Sequence, residues 1–279
     1  KNYLFVDGRY TLQAKNQSGK EFKIIEIPHK SPKDIFYKKN KKICLGYDPQ
    51  LFTNFTIRKN FNKPIILKPI IDNLIDRISK DSERKKIIYF YNLGKKITGQ
   101  SIDFKINKII SKLKSKNIDN IFISAPENVA WLLNLRGKDN PHSPIPNCKL
   151  ILTKKRKLYF FSCPMKISKI KSSKIYKNLK FTQYRDFNKI INNLSGKTFC
   201  IDKSTCSIMN ENIIKTKFKI RLNTDPCYLM KAIKNKIEIK NMISAHIKDG
   251  VALTKFIYWI KNLNKKKITE IDAQKKLEK

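Results

Sequence analysis

The chain has 279 residues, of which 41% are hydrophobic, and it carries 61 Lys and Arg against 22 Asp and Glu, a formal net charge of +39. This length predicts about two domains, and the apolar content excludes an intrinsically disordered protein. With only 8 Gly and 11 Pro, collagen-like and linker-like chains are excluded as well. No apolar run approaches the roughly 20 residues of a membrane helix, so we expect no membrane contact.

The positive charge consists mostly of lysine and is spread along the whole chain. Only 8 of the 61 basic residues are Arg, although Arg is the side chain that binds phosphate and guanine through two hydrogen bonds at once. A nucleic-acid-binding protein also concentrates its charge on one face. We therefore interpret the charge as a solvated surface enriched by AT-rich codons and expect no nucleic-acid partner. A non-catalytic, basic nucleic-acid-binding protein remains the alternative.

The first ninety residues alternate between strand and helix patterns. Short apolar runs bounded by turn residues predict strands at 3–6, 22–27, 43–47 and 65–67. Helices are predicted at 32–38, 50–59 and 70–78. The chain starts at Lys1, without an initiator Met, almost directly in a strand, so we expect the beginning of this domain to be missing.

A first domain boundary is predicted between residues 92 and 93. Residues 79–86 are charged, and residues 94–100 contain two glycines among polar residues. Beyond them, apolar residues at helical spacing predict a helix from Ile102 to Leu113. Pro126 opens a second helix, which is predicted to continue to Gly137.

The rest of this second region predicts a layered α/β domain that ends at residue 224. Two strands joined by a charged turn form a predicted hairpin, at 150–152 and 158–161. The other strands are predicted at 121–123, 181–184, 198–201 and 218–221. Helices are predicted at 187–194 and 204–215. Alternation of strands and helices over this length is typical of an α/β sheet covered by helices.

The last part of the chain is predicted to be helical. One long helix is expected from Leu229 to about Leu263, with two apolar stripes. A capping box formed by Thr269 and Asp272 then starts a final helix.

Catalytic and metal-binding motifs are absent from the sequence. There is no GxGxxG, Walker A, GxSxG or HExxH motif, and His29, His142 and His246 are about a hundred residues apart. The six Cys form no CxxC pair and have no zinc-finger spacing with His. We interpret all six as small buried hydrophobic residues in a reducing compartment.

Four stretches, in order along the chain, resemble the Xaa-Pro aminopeptidase (aminopeptidase P) family of the creatinase or pita-bread superfamily. The first two are FVDGRYTLQA at 5–14 and LGYDP at 45–49. The third and most specific is VAWLLNLRGKDNPHSP at 129–144, which is similar to the family pattern I-A-W-L-x-N-[IL]-R-G-x-D-x-x-H-x-P. The fourth comprises KAIKN at 231–235, AHIKDGVA at 245–252 and TEIDA at 269–273.

This resemblance implies an α/β fold with two creatinase N-terminal-like domains, each a mixed sheet flanked by helices. Residues 1–92 would be the first domain without its beginning, and residues 93–224 the second. Residues 225–279 would be the first helices of a pita-bread catalytic domain. Prolidases resemble the family but carry one N-terminal domain, so two such domains favour the aminopeptidase.

The same resemblance implies a cytoplasmic, homodimeric enzyme that removes the N-terminal residue from peptides with proline in the second position. The family uses two manganese ions held by two Asp, one His and two Glu, all expected beyond Lys279. This chain by itself is therefore expected to hold no metal ligands and to be inactive. A creatinase-type hydrolase of a small molecule is a further alternative.

One substrate-binding residue is implied by the resemblance. Arg9 matches the arginine of the family's D-G-R-Y segment, which reaches the substrate pocket. Its planar guanidinium is suited to a carbonyl or carboxylate group of a peptide. The alternative is a structural ion pair with Asp7.

The third motif supplies a predicted network that fixes a loop. Arg136 and Asp139 are expected to pair across a turn, and His142 is expected to hold the shape of the loop. A substrate or dimer contact by these residues is the alternative. Trp131 is predicted to lie in the core at a domain interface.

Overall fold

The computed structural model describes residues 2–37, 43–61, 65–78, 87–263 and 267–278. Across these ranges the chain is a mixed α/β protein, as the sequence predicts. None of the helices within them is both long enough and apolar enough to cross a membrane.

Two small parallel sheets make up the first region. Its strands are β1 (Asn2–Asp7), β2 (Phe22–Ile27), β3 (Ile43–Tyr47) and β4 (Ile65–Pro69). Its helices are α1 (Thr11–Gln17), α2 (Pro32–Tyr37), α3 (Asn54–Asn60) and α4 (Leu74–Ile78). Strand β1 pairs with β2, and β3 pairs with β4. Lys38, the predicted end of a helix, and the charged stretch 79–86 lie outside the described residues.

Two helices of this region differ from the sequence prediction. Helix α1 was not predicted, and α3 begins at Asn54 rather than Gln50. Thr53 decides the start of α3, because its Oγ1 accepts a hydrogen bond from the backbone N–H of Thr56 at 3.0 Å. The Thr56 hydroxyl in turn accepts one from the backbone N–H of Thr53 at 3.0 Å. This reciprocal cap satisfies N–H groups that have no partner inside the helix.

A six-stranded mixed sheet forms the second region. Its strands are β6 (Asn120–Ile123), β8 (Lys149–Thr153), β9 (Leu158–Phe161), β10 (Leu179–Thr182), β11 (Thr198–Ile201) and β12 (Lys219–Leu222). They lie in the order β10-β9-β8-β6-β11-β12. The β8–β9 hairpin is antiparallel, as predicted, and β8 also runs antiparallel to β6, whereas the β10–β9, β6–β11 and β11–β12 pairs are parallel.

Helices and two further short strands complete this region. The helices are α5 (Lys95–Thr98), α6 (Ile102–Ser115), α7 (Pro126–Leu132), α8 (Ser168–Lys171), α9 (Phe187–Asn193) and α10 (Ile208–Lys215). The short strands are β5 (Tyr91–Asn92) and β7 (Leu135–Arg136), which pair with each other in antiparallel orientation.

Both faces of the six-stranded sheet are buried. Ile121 and Ile123 of β6 belong to the core on the α6 and α7 side, whereas Phe122 between them belongs to the core beneath α9 and α10. Successive side chains of a strand point to opposite faces, and a sheet covered on both sides reads as a continuous apolar run. This explains why the short runs in the sequence identify these strands.

Three elements of the second region deviate from their predicted bounds. Helix α7 ends at Leu132 instead of Gly137, because Asn134 adopts a positive φ of 51° and the chain then enters β7. Helix α10 begins at Ile208, four residues later than predicted, because the Ser207 hydroxyl accepts a hydrogen bond from the Asn210 N–H. Strand β10 lies two residues earlier than predicted.

The single long helix predicted near the C-terminal end is wrong. The structure has two helices there, α11 (Pro226–Ala232) and α12 (Lys236–Lys261), with Ile233 in an extended conformation. Asn235 starts α12, because its side chain accepts hydrogen bonds from the N–H groups of Ile237 and Glu238. The capping box at Thr269 is confirmed and starts α13 (Glu270–Leu277).

The cysteines are all free thiols, but they do not all lie in the core. Four of them are buried, at positions 148, 200, 206 and 227. Burial raises the pKa of the Cys206 thiol to about 12, so this group stays uncharged. Cys163 is half-buried and Cys44 is exposed on β3, so the prediction of six buried cysteines is wrong for Cys44.

Asp119 joins three segments at one end of the sheet. Its carboxylate accepts hydrogen bonds from the backbone N–H groups of Lys197 (2.7 Å) and Thr198 (3.0 Å) and forms an ion pair with Lys154. The ion pair and these hydrogen bonds hold the pKa of Asp119 well below its usual range. The carboxylate therefore stabilises the fold above the pKa it has in the unfolded chain, and this contribution is lost as the pH falls.

We expect Asp119→Asn to lower the free energy of unfolding by about 1–3 kcal/mol at pH 7. The difference from the unsubstituted chain should shrink as the pH falls from about 5 toward 2, because the unfolded chain then binds a proton at Asp119 that the folded carboxylate, with its lowered pKa, does not bind. Urea denaturation across this pH range measures the difference in the free energy of unfolding. Asp103→Asn is the control, because it breaks an ion pair with Arg156 and the Asp103 side chain is 71% exposed. This substitution should lower the free energy of unfolding by less than about 1 kcal/mol. An Asp119→Asn effect that does not depend on pH would contradict the prediction.

Candidate functional site

Arg9 lies on the short turn that follows β1. Its backbone N–H and its Nε both donate hydrogen bonds to Oδ1 of Asp7, at 3.0 and 2.8 Å. The hydrogen bond from Arg9 lowers the pKa of Asp7. The structure therefore contains the Arg9–Asp7 ion pair that the sequence left as an alternative to substrate contact.

The ion pair with Asp7 engages only Nε of the Arg9 guanidinium. The Arg9 side chain is 80% exposed, and among the described residues its two terminal nitrogens have no hydrogen-bond partner. A planar group with two free N–H ends can bind a carboxylate or carbonyl oxygen while Nε stays bonded to Asp7. The geometry is thus compatible with a role as a donor to a ligand.

Arg136 and Asp139 have separate partners instead of the predicted shared ion pair. Arg136 Nη1 donates to the carbonyl groups of Leu135 at 2.8 Å and Ala130 at 3.3 Å, and burial lowers the pKa of its guanidinium. The carboxylate of Asp139 accepts a hydrogen bond from the backbone N–H of Asn147 at 2.6 Å and pairs with Lys166. Both residues hold the loop locally, because the turn directs their side chains to different segments.

The imidazole of His142 takes no part in this network. The residue is exposed, and its backbone N–H donates to Oδ1 of Asn140 at 3.3 Å. The two ends of the loop meet at Gly137 and Pro146, where a Cβ atom on Gly137 would lie 2.9 Å from the backbone of Pro146. The third motif therefore forms a close-packed turn, and no hydrogen bond or ion pair among the described residues joins it to Arg9.

A buried polar junction fixes the last helices to the second region. Asn128 of α7 is fully buried, and its Nδ2 donates to Oδ2 of Asp225 at 2.7 Å. Its Oδ1 accepts from Nζ of Lys231 at 2.6 Å. The backbone N–H of Asp225 donates to Asp202 at the end of β11, at 2.8 Å. The side chain of Asn128 thus connects both sides of the chain turn that leads into α11.

The first turn of α12 is attached in the same way. Asn235 Nδ2 donates to the carbonyl of Thr98 at 2.9 Å, and Asn241 Nδ2 donates to the carbonyl of Ile97 at 3.0 Å. Gly99 permits this approach, because a Cβ atom there would lie 2.2 Å from Oδ1 of Asn235 and its φ is +71°. The amide groups of two Asn residues therefore bind the start of α12 to the end of α5.

Trp131 packs against this attachment and is half-buried, at the edge of the core and not inside it as predicted. Its indole Nε1 donates to Oε1 of Glu238 at 3.4 Å. On the other side, its ring centroid lies 4.2 Å from Nζ of Lys105. The sequence analysis missed Lys105, Asn128 and Asp225, because single polar residues in a Lys-rich chain do not differ visibly from surface residues.

Beyond this attachment, α12 presents an apolar stripe that the described part of the chain leaves uncovered. Ile243, Ile247 and Val251 are 57%, 64% and 49% exposed. Exposed apolar patches are typical of interaction surfaces. No three His, Cys, Asp or Glu residues in the described ranges come together in a way that could hold a metal ion. Among the described residues, Arg9 is therefore the candidate ligand-binding side chain, and α11 and α12 are attached to the second region.

Comparison with known families finds a match over most of the second region. The sequence profile described as "Creatinase/Prolidase N-terminal domain" matches residues 81–238. A Dictyostelium discoideum protein named "Xaa-Pro aminopeptidase 1" is 28% identical over 277 residues, which cover 92% of this chain and 43% of that protein. The Drosophila melanogaster protein "Xaa-Pro aminopeptidase ApepP" is 28% identical over 293 residues, which cover 99% of this chain and 47% of that protein.

A solved structure is similar over almost the entire chain. It is the X-prolyl aminopeptidase from Caenorhabditis elegans, described as a cytosolic enzyme with a di-nuclear active site. The TM-score is 0.85 at 26% sequence identity, and the match covers 99% of this chain and 48% of that one. The chain thus spans about half the length of the relatives that it matches.

We expect Asn128→Leu to loosen α11, because the substitution leaves Asp225 and Lys231 without their shared partner. The free energy of unfolding should fall by about 2–4 kcal/mol. Hydrogen exchange of the amides of α11 should accelerate more than that of α9, which does not contact the junction. Asn192→Leu, at an exposed position of α9, is the matched control. Equal acceleration in both helices would contradict a local role for Asn128.

Proposed function

The chain belongs to the creatinase/prolidase N-terminal domain family, and we propose that it is the N-terminal part of a metal-dependent Xaa-Pro aminopeptidase. Such an enzyme removes the first residue of peptides whose second residue is proline. The observation that carries the proposal is similarity along 92–99% of this chain to proteins named as Xaa-Pro aminopeptidases, each about twice as long. The structural similarity extends over both α/β regions, which supports an architecture shared with these enzymes.

The proposed domain arrangement is residues 1–92, 93–224 and 225–279. The last two residues of the first range form β5 and pair with β7 of the second region. The six-stranded sheet occupies residues 120–222, within the second of these ranges. The third range would contribute the first helices of a pita-bread peptidase domain. The uncovered apolar stripe of α12 supports this proposal, because a helix with such a face needs a packing partner.

The metal ions of the proposed enzyme do not fit the described residues of this chain. Asp119 and Asp139 are engaged in ion pairs and Asp225 in the buried junction, and no cluster of ligands is formed among the described residues. We propose that two manganese ions are held by two Asp, one His and two Glu in a part of the longer protein outside this chain. The isolated chain would accordingly have no peptidase activity.

Arg9 is the proposed substrate-binding residue of this chain. The exposed guanidinium with two free nitrogens supports donation to an oxygen atom of the peptide. Asp7 would orient the group through Nε. The proposed partners are proline-containing peptides and a second copy of the enzyme, and the proposed location is the cytoplasm, which is consistent with the cytosolic enzyme of similar structure.

The longer protein that contains this chain should hydrolyse a peptide with proline in the second position and release its first residue. The same peptide with alanine in the second position is the substrate control. Removal of metal by a chelator should abolish hydrolysis, and Mn²⁺ should restore it, because the metal ions would supply the Lewis acid of the reaction. Detection of the released amino acid measures this. Hydrolysis by residues 1–279 alone, or hydrolysis that resists chelation, would contradict the proposal.

Arg9→Ala in the longer protein should lower kcat/KM for the proline peptide about 10- to 100-fold, the loss of one charge-assisted hydrogen bond. Arg58→Ala is the matched control, because Arg58 is an exposed arginine of the same region, on α3. Circular dichroism verifies that both variants fold. If kcat/KM is the same in the two variants, Arg9 is only the structural partner of Asp7.

A further inference from the structure

Lys105 is a charged side chain in the interior of the second region. It lies on α6 next to Ile106, and only 1% of its surface is exposed. Lysine is almost never fully buried unless its ammonium group has partners that replace water. The position therefore requires a specific set of contacts.

Two oxygen atoms and one aromatic ring surround the ammonium group. Lys105 Nζ donates hydrogen bonds to the carbonyl of Trp131 at 2.7 Å and to Oδ1 of Asn134 at 2.6 Å. The same nitrogen lies 4.2 Å from the centroid of the Trp131 ring. A cation at the C-terminal end of a helix is favourable, and α7 ends at Leu132. Lys105 thus holds Trp131 through both its backbone and its side chain.

Trp131 in turn contacts α12. Its Nε1 lies 3.4 Å from Oε1 of Glu238, whose other carboxylate oxygen accepts hydrogen bonds from the backbone N–H and Nδ2 of Asn235, both at 2.9 Å. Asn235 is the residue that starts α12. A continuous series of contacts therefore runs from Lys105 through Trp131 and Glu238 to the first turn of that helix.

The charge of Lys105 is sensitive to its surroundings. Burial lowers the pKa of the ammonium group to about 8, Glu238 on α12 and Cys227 on α11 raise it, and Arg136 on β7 lowers it. The neutral amine still donates hydrogen bonds, but it lacks the attraction between a cation and the indole ring. Deprotonation consequently weakens the hold on Trp131 without removing the side chain.

We propose that Lys105 is a positioning residue, which holds the Trp131 ring against Glu238 and thereby fixes the start of α12 to the second region. The role belongs to the folded chain itself and does not depend on the peptidase activity proposed above. A merely space-filling lysine would not couple its charge to the ring or to the helix.

The test uses Trp131 as its own reporter. In the Trp259→Phe background Trp131 is the single tryptophan of the chain, and its fluorescence is followed from pH 6.5 to 9.5. We expect a change with a midpoint near pH 8 that disappears in Lys105→Met and persists in Lys108→Met, at an exposed position of the same helix. A change that survives in Lys105→Met, or no change in the parent chain, overturns the proposal.

Hydrogen exchange provides the second measurement. The amides of residues 237–241 should exchange at least about tenfold faster in Lys105→Met than in the parent chain, relative to the amides of α9. If Lys105→Met does not fold, Trp131→Phe removes the indole N–H but retains an aromatic ring, and it should accelerate exchange of the same amides. In a double-mutant cycle the effects of Trp131→Phe and Glu238→Gln should be strongly non-additive. Additive effects, or unchanged exchange of these amides in the folded variants, overturn the proposal.

Discussion

The hydrogen bonds of one buried amide, Asn128, determine how the second half of this protein is assembled. Its two polar atoms bind an acidic and a basic residue, Asp225 and Lys231, from the segment that leaves the sheet. A buried carboxylate or amide without a partner costs more free energy than a hydrogen bond gains. The segment after β12 therefore has one arrangement in which all these groups are satisfied, and α11 and α12 take their direction from it.

The sheet supplies the rigid support for this junction. Its six strands carry apolar side chains on both faces, and helices cover each face. Asp202 at the end of β11 and Asn128 at the first turns of α7 are consequently placed by elements that cannot move independently of the core. A polar junction of this kind gains its specificity from the precision of the apolar packing beneath it.

Helix α12 is attached at one end and has exposed apolar side chains along its later turns. Helix α12 is attached at its first turns by Asn235 and Asn241, whereas its later turns expose the stripe that contains Ile243 and Ile247. Anchoring at one end and an exposed apolar face at the other support the proposal that α12 belongs to a further domain. The family membership of the chain, and its coverage of about half of each relative, agree with this interpretation.

The sequence by itself determined the strands of the large sheet, the hairpin, the cap at Thr269 and the resemblance carried by the motif around Arg136. These features depend on runs of neighbouring residues, so local patterns reveal them. The division of the last helix at Asn235 also follows a local pattern, the capping box that Asn235 forms with Glu238. Only the tertiary structure decided that Arg136 and Asp139 have different partners and that Lys105 is buried. Lys105 finds its partners 26 and 29 residues away, and Asn128 binds Asp225 across 97 residues. A polar residue that is stabilised by such distant groups has no local signature that separates it from a residue in contact with water.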